Sequence, residues 1–212
     1  MPVPFKTLLI ATKNKGKLNE FASLFAAFGV DVLSLHDRPE LGDVEEAGTT
    51  FAENALLKAR TIAERTSLPV LADDSGLCVT ALGDAPGVYS ARYAGEHGND
   101  AKNNEKLLSE LRRVVDGPLA RAQDGAEYLS EARFVCALAL YLPETGEAIQ
   151  VEGVCHGVIL AELRGTGGFG YDPLFYLPTL QKTMAELTVA EKNELSHRSQ
   201  ALRTLRQTKL TL

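Results

Sequence analysis

Apolar residues follow two different periods along the chain, and the change of period separates predicted helices from predicted strands. Apolar residues that recur every three or four positions indicate helices, and short apolar runs bounded by turn residues indicate strands. The two kinds of element mix without strict alternation, which is typical of an α/β or α+β protein with a mixed sheet. The predicted strands cover residues 7–11, 69–72, 77–82, 132–142 and 148–158, and the predicted helices cover residues 18–28, 99–113, a segment from residue 50 and the C-terminal region.

Capping signals set where two of these helices begin. Thr50 with Glu53, and Thr188 with Glu191, have the Ser/Thr-x-x-Glu spacing of a capping box, and Ser196 is a further candidate cap. The starts of these helices are therefore better defined than the ends of the strands, which depend on periodicity alone.

Turn residues separate the remaining elements. The segment 73–76, Asp-Asp-Ser-Gly, is predicted to end the strand 69–72, so that residues 77–82 return beside it as its partner. Residues 114–131 have weak periodicity, two glycines and mixed charge, and we expect them to form a surface excursion.

Lys58 lies on the apolar face of the helix that begins near residue 50. At about 100° per residue it points within about 20° of Phe51, beside the stripe formed by Ala55, Ala59 and Ile62. An inward lysine either extends its ammonium group along the apolar surface to solvent or meets a ligand. The local pattern leaves both interpretations open.

The composition predicts one globular domain over residues 1–212. With 45% hydrophobic and 24% charged residues, the chain buries a sizeable core without help from disulfides. The net charge of −6 argues against a nucleic-acid partner, and the apolar run 134–142 is too short to cross a membrane. Cys78, Cys136 and Cys155 lack metal or redox spacing, so we expect buried free thiols and a reducing, cytoplasmic compartment.

A polar stretch, Thr-Lys-Asn-Lys-Gly-Lys at residues 12–17, joins the first predicted strand to the first predicted helix. The free N–H groups at a helix N-terminus bind anions, and the side chains here add hydroxyl and amide donors and three positive charges. The stretch is either an anion site or a solvated turn with exposed lysines.

Two pairs of carboxylates are candidates for acid–base or metal chemistry. Glu45-Glu46 precedes the second predicted helix, and Asp73-Asp74 follows a buried strand. Neighbouring carboxylates repel one another, so they require a cation or a raised pKa. All-oxygen ligands suit Mg²⁺, whereas a polar turn is the alternative interpretation for Asp73-Asp74.

Two familiar phosphate-binding motifs are excluded by their context. Gly16-Lys17 resembles part of a Walker A loop, but Leu18 stands where Ser or Thr is needed. The segment 165–170 matches Gly-x-Gly-x-x-Gly, but Pro173 blocks the helix that a dinucleotide site requires.

A further candidate lies at the start of the last helix. His197 and Arg198 place cations in its first turn, where they oppose the helix dipole. This favours contact with a ligand over a purely stabilising role.

Several short motifs follow one another along the chain in a fixed order: Thr12-x-Asn14-x-x-Lys17, Glu45-Glu46, Thr50-Phe51-x-Glu53-Asn54-Ala55-x-x-Lys58-Ala59, Asp73-Asp74-Ser75-Gly76-Leu77, Ala85-Pro86-Gly87-Val88-Tyr89-Ser90-Ala91-Arg92, Gly167-Gly168-Phe169-Gly170-Tyr171-Asp172-Pro173 and Ser196-His197-Arg198. Together they resemble the inosine/xanthosine triphosphate pyrophosphatase family, whose members remove deaminated purine nucleotides. The resemblance covers residues 8–205. The chain departs from the family pattern at two places. Residues 118–131 look like a surface insertion, and Ser199 stands where glycine is common in the family.

The resemblance implies a fold and a reaction. The fold belongs to the α/β class, with an elongated mixed β-sheet flanked by helices, two lobes and a central substrate cleft. The assembly is a homodimer. The reaction is Mg²⁺-dependent hydrolysis of the purine triphosphates ITP, dITP, XTP and dXTP to the monophosphate and pyrophosphate.

The same resemblance implies a role for each motif residue. Asp74 is the proton acceptor and holds the metal together with Glu46. Lys58 is a phosphate or transition-state contact, and Asp73 is a supporting carboxylate. The triphosphate is bound by Thr12, Lys13, Asn14, Lys15, Gly16 and Lys17, Ser75 lies beside the substrate, and the base and sugar are contacted by Phe169, Gly170, Tyr171, Asp172, Lys192, His197 and Arg198.

Two other functions compete with this interpretation. A pyrimidine triphosphate pyrophosphatase of similar fold is not expected to carry the motifs at residues 169–172 and 196–198. A nucleotide-binding regulator that does not cut its ligand has no need for both Glu46 and Asp74.

Overall fold

The computed structural model describes residues 5–26, 29–42, 44–122 and 124–208. Its α-helices are α1 (Lys15–Ala26), α2 (Phe51–Thr66), α3 (Asp100–Val114), α4 (Val189–Leu195) and α5 (His197–Gln207). Its strands are β1 (Thr7–Ile10), β2 (Asp31–Ser34), β3 (Val70–Val79), β4 (Ala120–Arg121), β5 (Glu127–Leu142), β6 (Glu147–Leu160), β7 (Phe175–Leu177) and β8 (Lys182–Thr183). Short 3₁₀ helices cover Pro39–Leu41, Thr80–Leu82, Gly87–Arg92 and Met184–Glu186.

The strands form a mixed β-sheet in the order β2-β1-β3-β5-β6-β7-β8, with β4 beside β5. β1 is parallel to β2 and to β3, whereas the pairs β4–β5, β6–β7 and β7–β8 are antiparallel. This confirms the predicted mixed α/β class. Because Ile10 pairs with Leu71 in parallel strands, the residues that follow β1 emerge beside Asp73.

The chain divides into two compact units, each with its own hydrophobic core. Unit 1 comprises residues 1–74, 136–153 and 197–212, and unit 2 comprises residues 75–135 and 154–196. In unit 1 the side chains of β1 alternate, so that Leu8 packs in a core with residues of α1 and α5 while Leu9 packs in another core with residues of α2. In unit 2 Leu107 and Leu111 of α3 pack against Leu77 of β3.

The predicted turn at residues 73–76 is wrong. Residues 70–79 form one continuous strand, β3, and residues 77–82 do not return as its partner. The Asp-Asp-Ser-Gly composition indicated a turn, but the two aspartates remain extended because side chains from α1 and α2 satisfy them, as described below. Long-range contacts therefore outweigh the local turn signal.

Two other boundaries differ from the prediction. α1 begins at Lys15 rather than Leu18, because Asn14 already caps the helix: its Oδ1 accepts the N–H of Lys17 at 3.1 Å. Within the segment 114–131, β4 pairs with the beginning of β5, so part of the predicted excursion is a hairpin. Both β4 residues are exposed, as expected of a surface segment.

Other expectations are confirmed. The capping boxes of Thr50 with Glu53 and of Thr188 with Glu191 are both present, and Cys78, Cys136 and Cys155 are buried free thiols. Among the described residues, no helix has the length and apolar character needed to cross a membrane. The predicted end of the first helix at Phe28 lies outside the described residues.

Candidate active site

Residues 12–17 form a capped entry from β1 into α1. Thr12 is buried and its Oγ1 accepts the N–H of Asn14 at 3.2 Å, while the Asn14 side chain caps the helix. Lys13 and Asn14 are exposed, and the backbone of Lys15 and Gly16 forms the start of α1. The side chain of Lys15 lies outside the described part of the structure. The entry thus presents helix N–H groups and a lysine to solvent, as an anion site requires.

Lys17 reaches from the first turn of α1 to Asp73 on β3. Its Nζ donates to Asp73 Oδ2 at 2.7 Å, and the Asp73 side chain is almost fully buried. Burial alone would raise the pKa of Asp73, but the charges of Lys17, Lys58 and Arg198 hold that pKa well below its usual range. Asp73 is therefore a fixed negative charge that orients the surrounding cations.

Lys58 points inward, as its position on the helix predicts. Its Nζ lies 2.5 Å from Glu46 Oε1 and donates to the main-chain oxygen of Asp73 at 3.0 Å. Burial lowers the pKa of Lys58, but the charges of Asp73, Glu46 and Asp74 outweigh burial and raise it above the usual value. The ammonium group is thus charged at neutral pH and held among three carboxylates, rather than extended along the surface.

Asp74 has the opposite electrostatic character to Asp73. It is 7% exposed, and its Oδ2 accepts a hydrogen bond from Asn54 Nδ2 at 3.0 Å. Burial is the main reason that the pKa of Asp74 rises to about 6, against the lowering effect of the Asn54 hydrogen bond. A carboxylate with this pKa is well matched to accept a proton near neutral pH.

Asn54 belongs to one of the sequence motifs, but no role was predicted for it. Besides its bond to Asp74, its Oδ1 accepts the N–H of Gly48 at 2.8 Å, so its amide joins Asp74 to the loop that carries Glu46. A Cβ on Gly48 would lie 2.7 Å from that Oδ1, which explains why glycine occupies the position. Helical spacing could have predicted that Asn54 lies in the site, because Asn54 and Lys58 are four residues apart and share one face of α2.

The carboxylates of unit 1 fit a magnesium ion shared with a phosphate. The described residues contain no group of three or more His, Cys, Asp or Glu side chains suited to a metal ion. Mg²⁺ commonly takes only one or two carboxylates and completes its shell with water and phosphate oxygens. Glu46 lies near enough to raise the pKa of Asp74, so these two side chains offer oxygen ligands of the required kind.

α5 brings His197 and Arg198 into unit 1. Both side chains are more than nine-tenths buried, and the charge of Arg198 acts on Asp73. α5 packs closely on β6 at Gly153, where an added Cβ would lie 2.2 Å from the main-chain oxygen of His197 and 2.3 Å from the N of Ala201. Glycine at 153 is therefore needed to seat the helix that carries His197 and Arg198.

Unit 2 contains the second group of predicted site residues. Lys192 Nζ lies 2.5 Å from Asp172 Oδ2, and the same oxygen accepts the N–H of Phe169 at 3.0 Å. The Lys192 ammonium lies 5.7 Å from the centroid of the Phe169 ring, which is 37% exposed. A Cβ on Gly168 would lie 2.0 Å from Asp172 Oδ2, so glycine permits this ion pair. The result is an exposed aromatic face beside a held cation.

Tyr171 and Ser75 occupy different environments. Tyr171 is buried, and its hydroxyl donates to the main-chain oxygen of Ser90 at 2.8 Å, which fixes the segment after Phe169. Ser75 follows Asp74 in β3 and is half-buried. The exposed side chain of the segment 169–172 is thus the Phe169 ring.

The chain is similar in sequence to several known proteins. Residues 8–208 match the sequence profile of the Ham1 family. The chain is 55% identical to a dITP/XTP pyrophosphatase of Geobacillus kaustophilus over 93% of this chain and 91% of that protein. It is 52% identical to a dITP/XTP pyrophosphatase of Listeria monocytogenes over 93% of this chain and 92% of that protein.

Solved structures of similar proteins have the same fold. A HAM1 protein from Coxiella burnetii has a TM-score of 0.83 and 42% identity, covering 95% of this chain and 96% of its own. The Ham1 protein of Staphylococcus aureus has a TM-score of 0.81 and 41% identity, with the same coverage of both chains.

Proposed function

Since the chain belongs to the Ham1 family, we propose that it is a nucleoside triphosphate pyrophosphatase. Its substrates are the non-standard purine triphosphates ITP, dITP, XTP and dXTP, and its products are the monophosphate and pyrophosphate. The single observation that carries the proposal is the cluster in unit 1, in which Lys17 and Lys58 hold Asp73 beside an Asp74 whose pKa is raised to about 6. The names of the relatives support the substrate class.

The residues of unit 1 divide the chemical work. Water attacks a phosphorus of the α–β anhydride, a P–O bond forms, the anhydride bond breaks, and Asp74 takes the proton of the water. Lys17, Lys58 and the N–H groups at the start of α1 stabilise the charge on the phosphate oxygens. The segment 12–17 binds the triphosphate.

Magnesium is part of the proposal. Glu46 and Asp74 hold the ion, which supplies positive charge to the phosphate oxygens when it is bound. In the described structure Lys58 pairs with Glu46. We expect Lys58 to exchange this contact for a phosphate oxygen when metal and substrate bind.

The base and sugar are assigned to the remaining motif residues. The Phe169 ring offers a stacking surface, and Gly170, Tyr171 and Asp172 shape the segment that carries it. Lys192, His197 and Arg198 supply donors, which suit the carbonyl oxygen that inosine and xanthosine carry in place of the amino group of adenine. Ser75 lies beside the substrate.

Two further expectations stand as proposals, one from the family resemblance and one from the cysteine pattern. The protein forms a homodimer, which sedimentation analysis of the purified chain tests directly. It acts in the cytoplasm, where fractionation of cells that express the tagged chain at native level will locate it.

A substrate panel with magnesium tests the proposed function. ITP, dITP, XTP, dXTP, ATP, GTP, CTP and UTP are incubated with the protein, and pyrophosphate and orthophosphate are measured separately. We expect pyrophosphate from the first four at rates well above those of the standard nucleotides. A preference for pyrimidines, release of orthophosphate alone, or binding of ITP without turnover would each contradict the proposal.

Asp74→Asn tests the proton acceptor. The substitution keeps the shape of the side chain but removes its capacity to take a proton, so kcat should fall by about 10²- to 10⁴-fold. Because Asp74 is also a proposed metal ligand, the activity is measured over a magnesium titration. A loss that high magnesium restores would assign Asp74 to metal binding rather than to proton transfer.

A further inference from the structure

Gly170 in unit 2 is held from both sides by α3. Its N–H donates to Asp100 Oδ2 at 2.6 Å, and its main-chain oxygen accepts from Asn104 Nδ2 at 2.9 Å. Gly170 has a φ of +62°, and an added Cβ would meet no atom within 4 Å. The requirement for glycine is therefore conformational, and the two contacts fix the peptide groups on either side of this left-handed residue.

The two clamping side chains are arranged for this purpose by helix geometry. Asp100 and Asn104 are four residues apart on α3, so they project from the same face in adjacent turns. Asp100 is the first residue of the helix, where the dipole favours a carboxylate. One side chain accepts and the other donates, which matches the opposite polarity of the N–H and C=O groups of Gly170.

Asn104 has a feature that packing alone does not explain. The residue is 6% exposed, and among the described residues its Oδ1 has no hydrogen-bond partner. A buried acceptor without a partner costs free energy that an apolar side chain of similar size would avoid. The amide is thus explained by the one bond it makes, from Nδ2 to Gly170.

The held peptide lies next to the exposed Phe169 ring. Phe169 precedes Gly170 directly, and the peptide that joins them carries the N–H bound to Asp100. On the other side of Gly170, Tyr171 is anchored to Ser90 and Asp172 to Lys192. Gly170 therefore joins Phe169, whose own N–H is held by Asp172, to the anchored residues that follow, and α3 fixes the main chain at that point.

We propose that Asp100 and Asn104 are positioning residues for the segment 169–172, where they set the orientation of Phe169 and of Asp172, which holds the donor Lys192, and thereby the selection of the base. This inference rests on the proposed function, which assigns the segment 169–172 to the base. Both residues belong to unit 2, whereas the phosphate cluster of Lys17 and Lys58 belongs to unit 1. Their loss should weaken interactions that depend on the base and leave those that depend on the phosphates.

The test compares Asn104→Ala with Asn103→Ala. Asn103 is the adjacent buried amide of α3, but it holds Ala91 and Ala94 rather than Gly170. For each variant, kcat and KM are measured for ITP and ATP, together with the inhibition constants of IMP and of inorganic tripolyphosphate. IMP reports on the base, and tripolyphosphate reports on the phosphate site without a base.

We expect Asn104→Ala to raise the KM for ITP and the inhibition constant of IMP by about tenfold, the usual scale for one hydrogen bond. The ratio of kcat/KM for ITP over ATP should narrow, and inhibition by tripolyphosphate should change less than about twofold. Asn103→Ala should leave the ratio unchanged. A uniform fall of kcat with unchanged inhibition constants, or equal effects of the two variants, would overturn the inference.

Asp100 provides a second pair of variants in case Asn104→Ala does not fold. Asp100→Asn keeps an oxygen that accepts from Gly170, so it should retain most of the ITP preference, whereas Asp100→Ala should lose it. Equal behaviour of these two variants would also overturn the inference. Absence of ITP hydrolysis by the unmodified protein would instead reject the proposed function, so the two failures are distinguishable.

Discussion

Asp73 and Asp74 are neighbours in sequence but have opposite electrostatic roles. Successive side chains of a strand point to opposite faces, so the two carboxylates of β3 lie in different surroundings. Lys17, Lys58 and Arg198 keep Asp73 charged, whereas burial raises the pKa of Asp74 to about 6. When the surroundings of two neighbouring carboxylates push their pKa values apart, the one with the low pKa stays charged and the one with the raised pKa can accept a proton.

This contrast predicts the titration of Asp74 in the metal-free protein. Its carboxyl ¹³C resonance should titrate near pH 6 rather than near the usual 3.8, so the proton-accepting form is lost as the pH falls through about 6. Asn54→Ala removes a hydrogen bond to the charged form and should move the midpoint upward. Magnesium should move it downward. A midpoint that magnesium leaves unchanged would remove Asp74 from the metal site.

A second prediction separates charge at the phosphate site from charge elsewhere. Lys17→Met and Lys58→Met keep an apolar stem but remove the ammonium group, and each should lower kcat/KM for ITP by about 10²-fold or more. Lys102→Met removes a lysine whose side chain is 60% exposed and should have little effect. Equal effects of the three substitutions would contradict the phosphate assignment.

Lys17 also compensates a buried charge, and a double variant separates the two roles. Lys17→Met removes the ammonium group that donates to the buried Asp73 carboxylate and leaves Lys58 and Arg198 as the cations that act on it, so the unfolding free energy should fall by about 1–3 kcal/mol. Lys17→Met with Asp73→Asn should recover part of that stability, because the carboxylate that Lys17 neutralises is gone, without recovering activity. Recovery of activity as well would mean that Lys17 acts only through Asp73.

At the scale of elements, local signals predicted the helices better than the strands. The capping boxes at Thr50 and Thr188 depend on residues three apart, and both are present. The continuous strand β3 depends on Lys17, 56 positions away from Asp73, so its Asp-Asp-Ser-Gly segment was predicted to turn. β7 and β8 have three and two residues, too few for a period to appear.

The site was predictable where motif residues act directly and less so where they act through others. The inward face of α2 predicted an unusual environment for Lys58, and the structure provides its partners in Glu46 and Asp73. The bond from Asn54 to Asp74 and the bonds from Asp100 and Asn104 to Gly170 join segments that lie between 20 and 70 positions apart in sequence. Periodicity and spacing contain no such distance.

Gly153→Ala tests the seating of α5 on β6. The new Cβ would overlap main-chain atoms of His197 and Ala201, and main chain yields less readily than a side-chain end. We expect a loss of about 1–3 kcal/mol in unfolding free energy. We also expect kcat/KM for ITP to fall at a temperature where the variant is folded, since His197 and Arg198 move with the helix.

Glu152→Ala, at an exposed position next to Gly153 on the same strand, is the control and should change neither stability nor kcat/KM. Full activity of folded Gly153→Ala would show that the position of α5 matters for stability alone. That result would count against the assignment of His197 and Arg198 to the substrate.

At the scale of the whole molecule, the net charge does not favour an anionic ligand. The chain carries a net charge of −6, which repels a triphosphate at long range. Three lysines nevertheless lie at the proposed phosphate site. Lys13 and Lys17 lie at or near the start of α1, and both Lys17 and Lys58 contact Asp73. The proposed affinity for phosphates therefore requires short-range contacts and the proposed metal ion, rather than the overall field.

This balance predicts that the stability of the whole chain depends on magnesium and phosphate together. A ligand that binds only the folded state at about one hundred times its Kd adds about 2.7 kcal/mol to the unfolding free energy. For a chain of this size that corresponds to a Tm increase of about 5–10 °C. We expect this increase in Tm with magnesium and pyrophosphate together, and a smaller one with either alone.

The double variant Lys17→Met, Asp73→Asn should lose most of this increase in Tm, whereas Lys102→Met should retain it. An equal increase in both variants, or with sodium sulfate at matched ionic strength, would assign the effect to general salt stabilisation and reject residues 12–17 as the phosphate site.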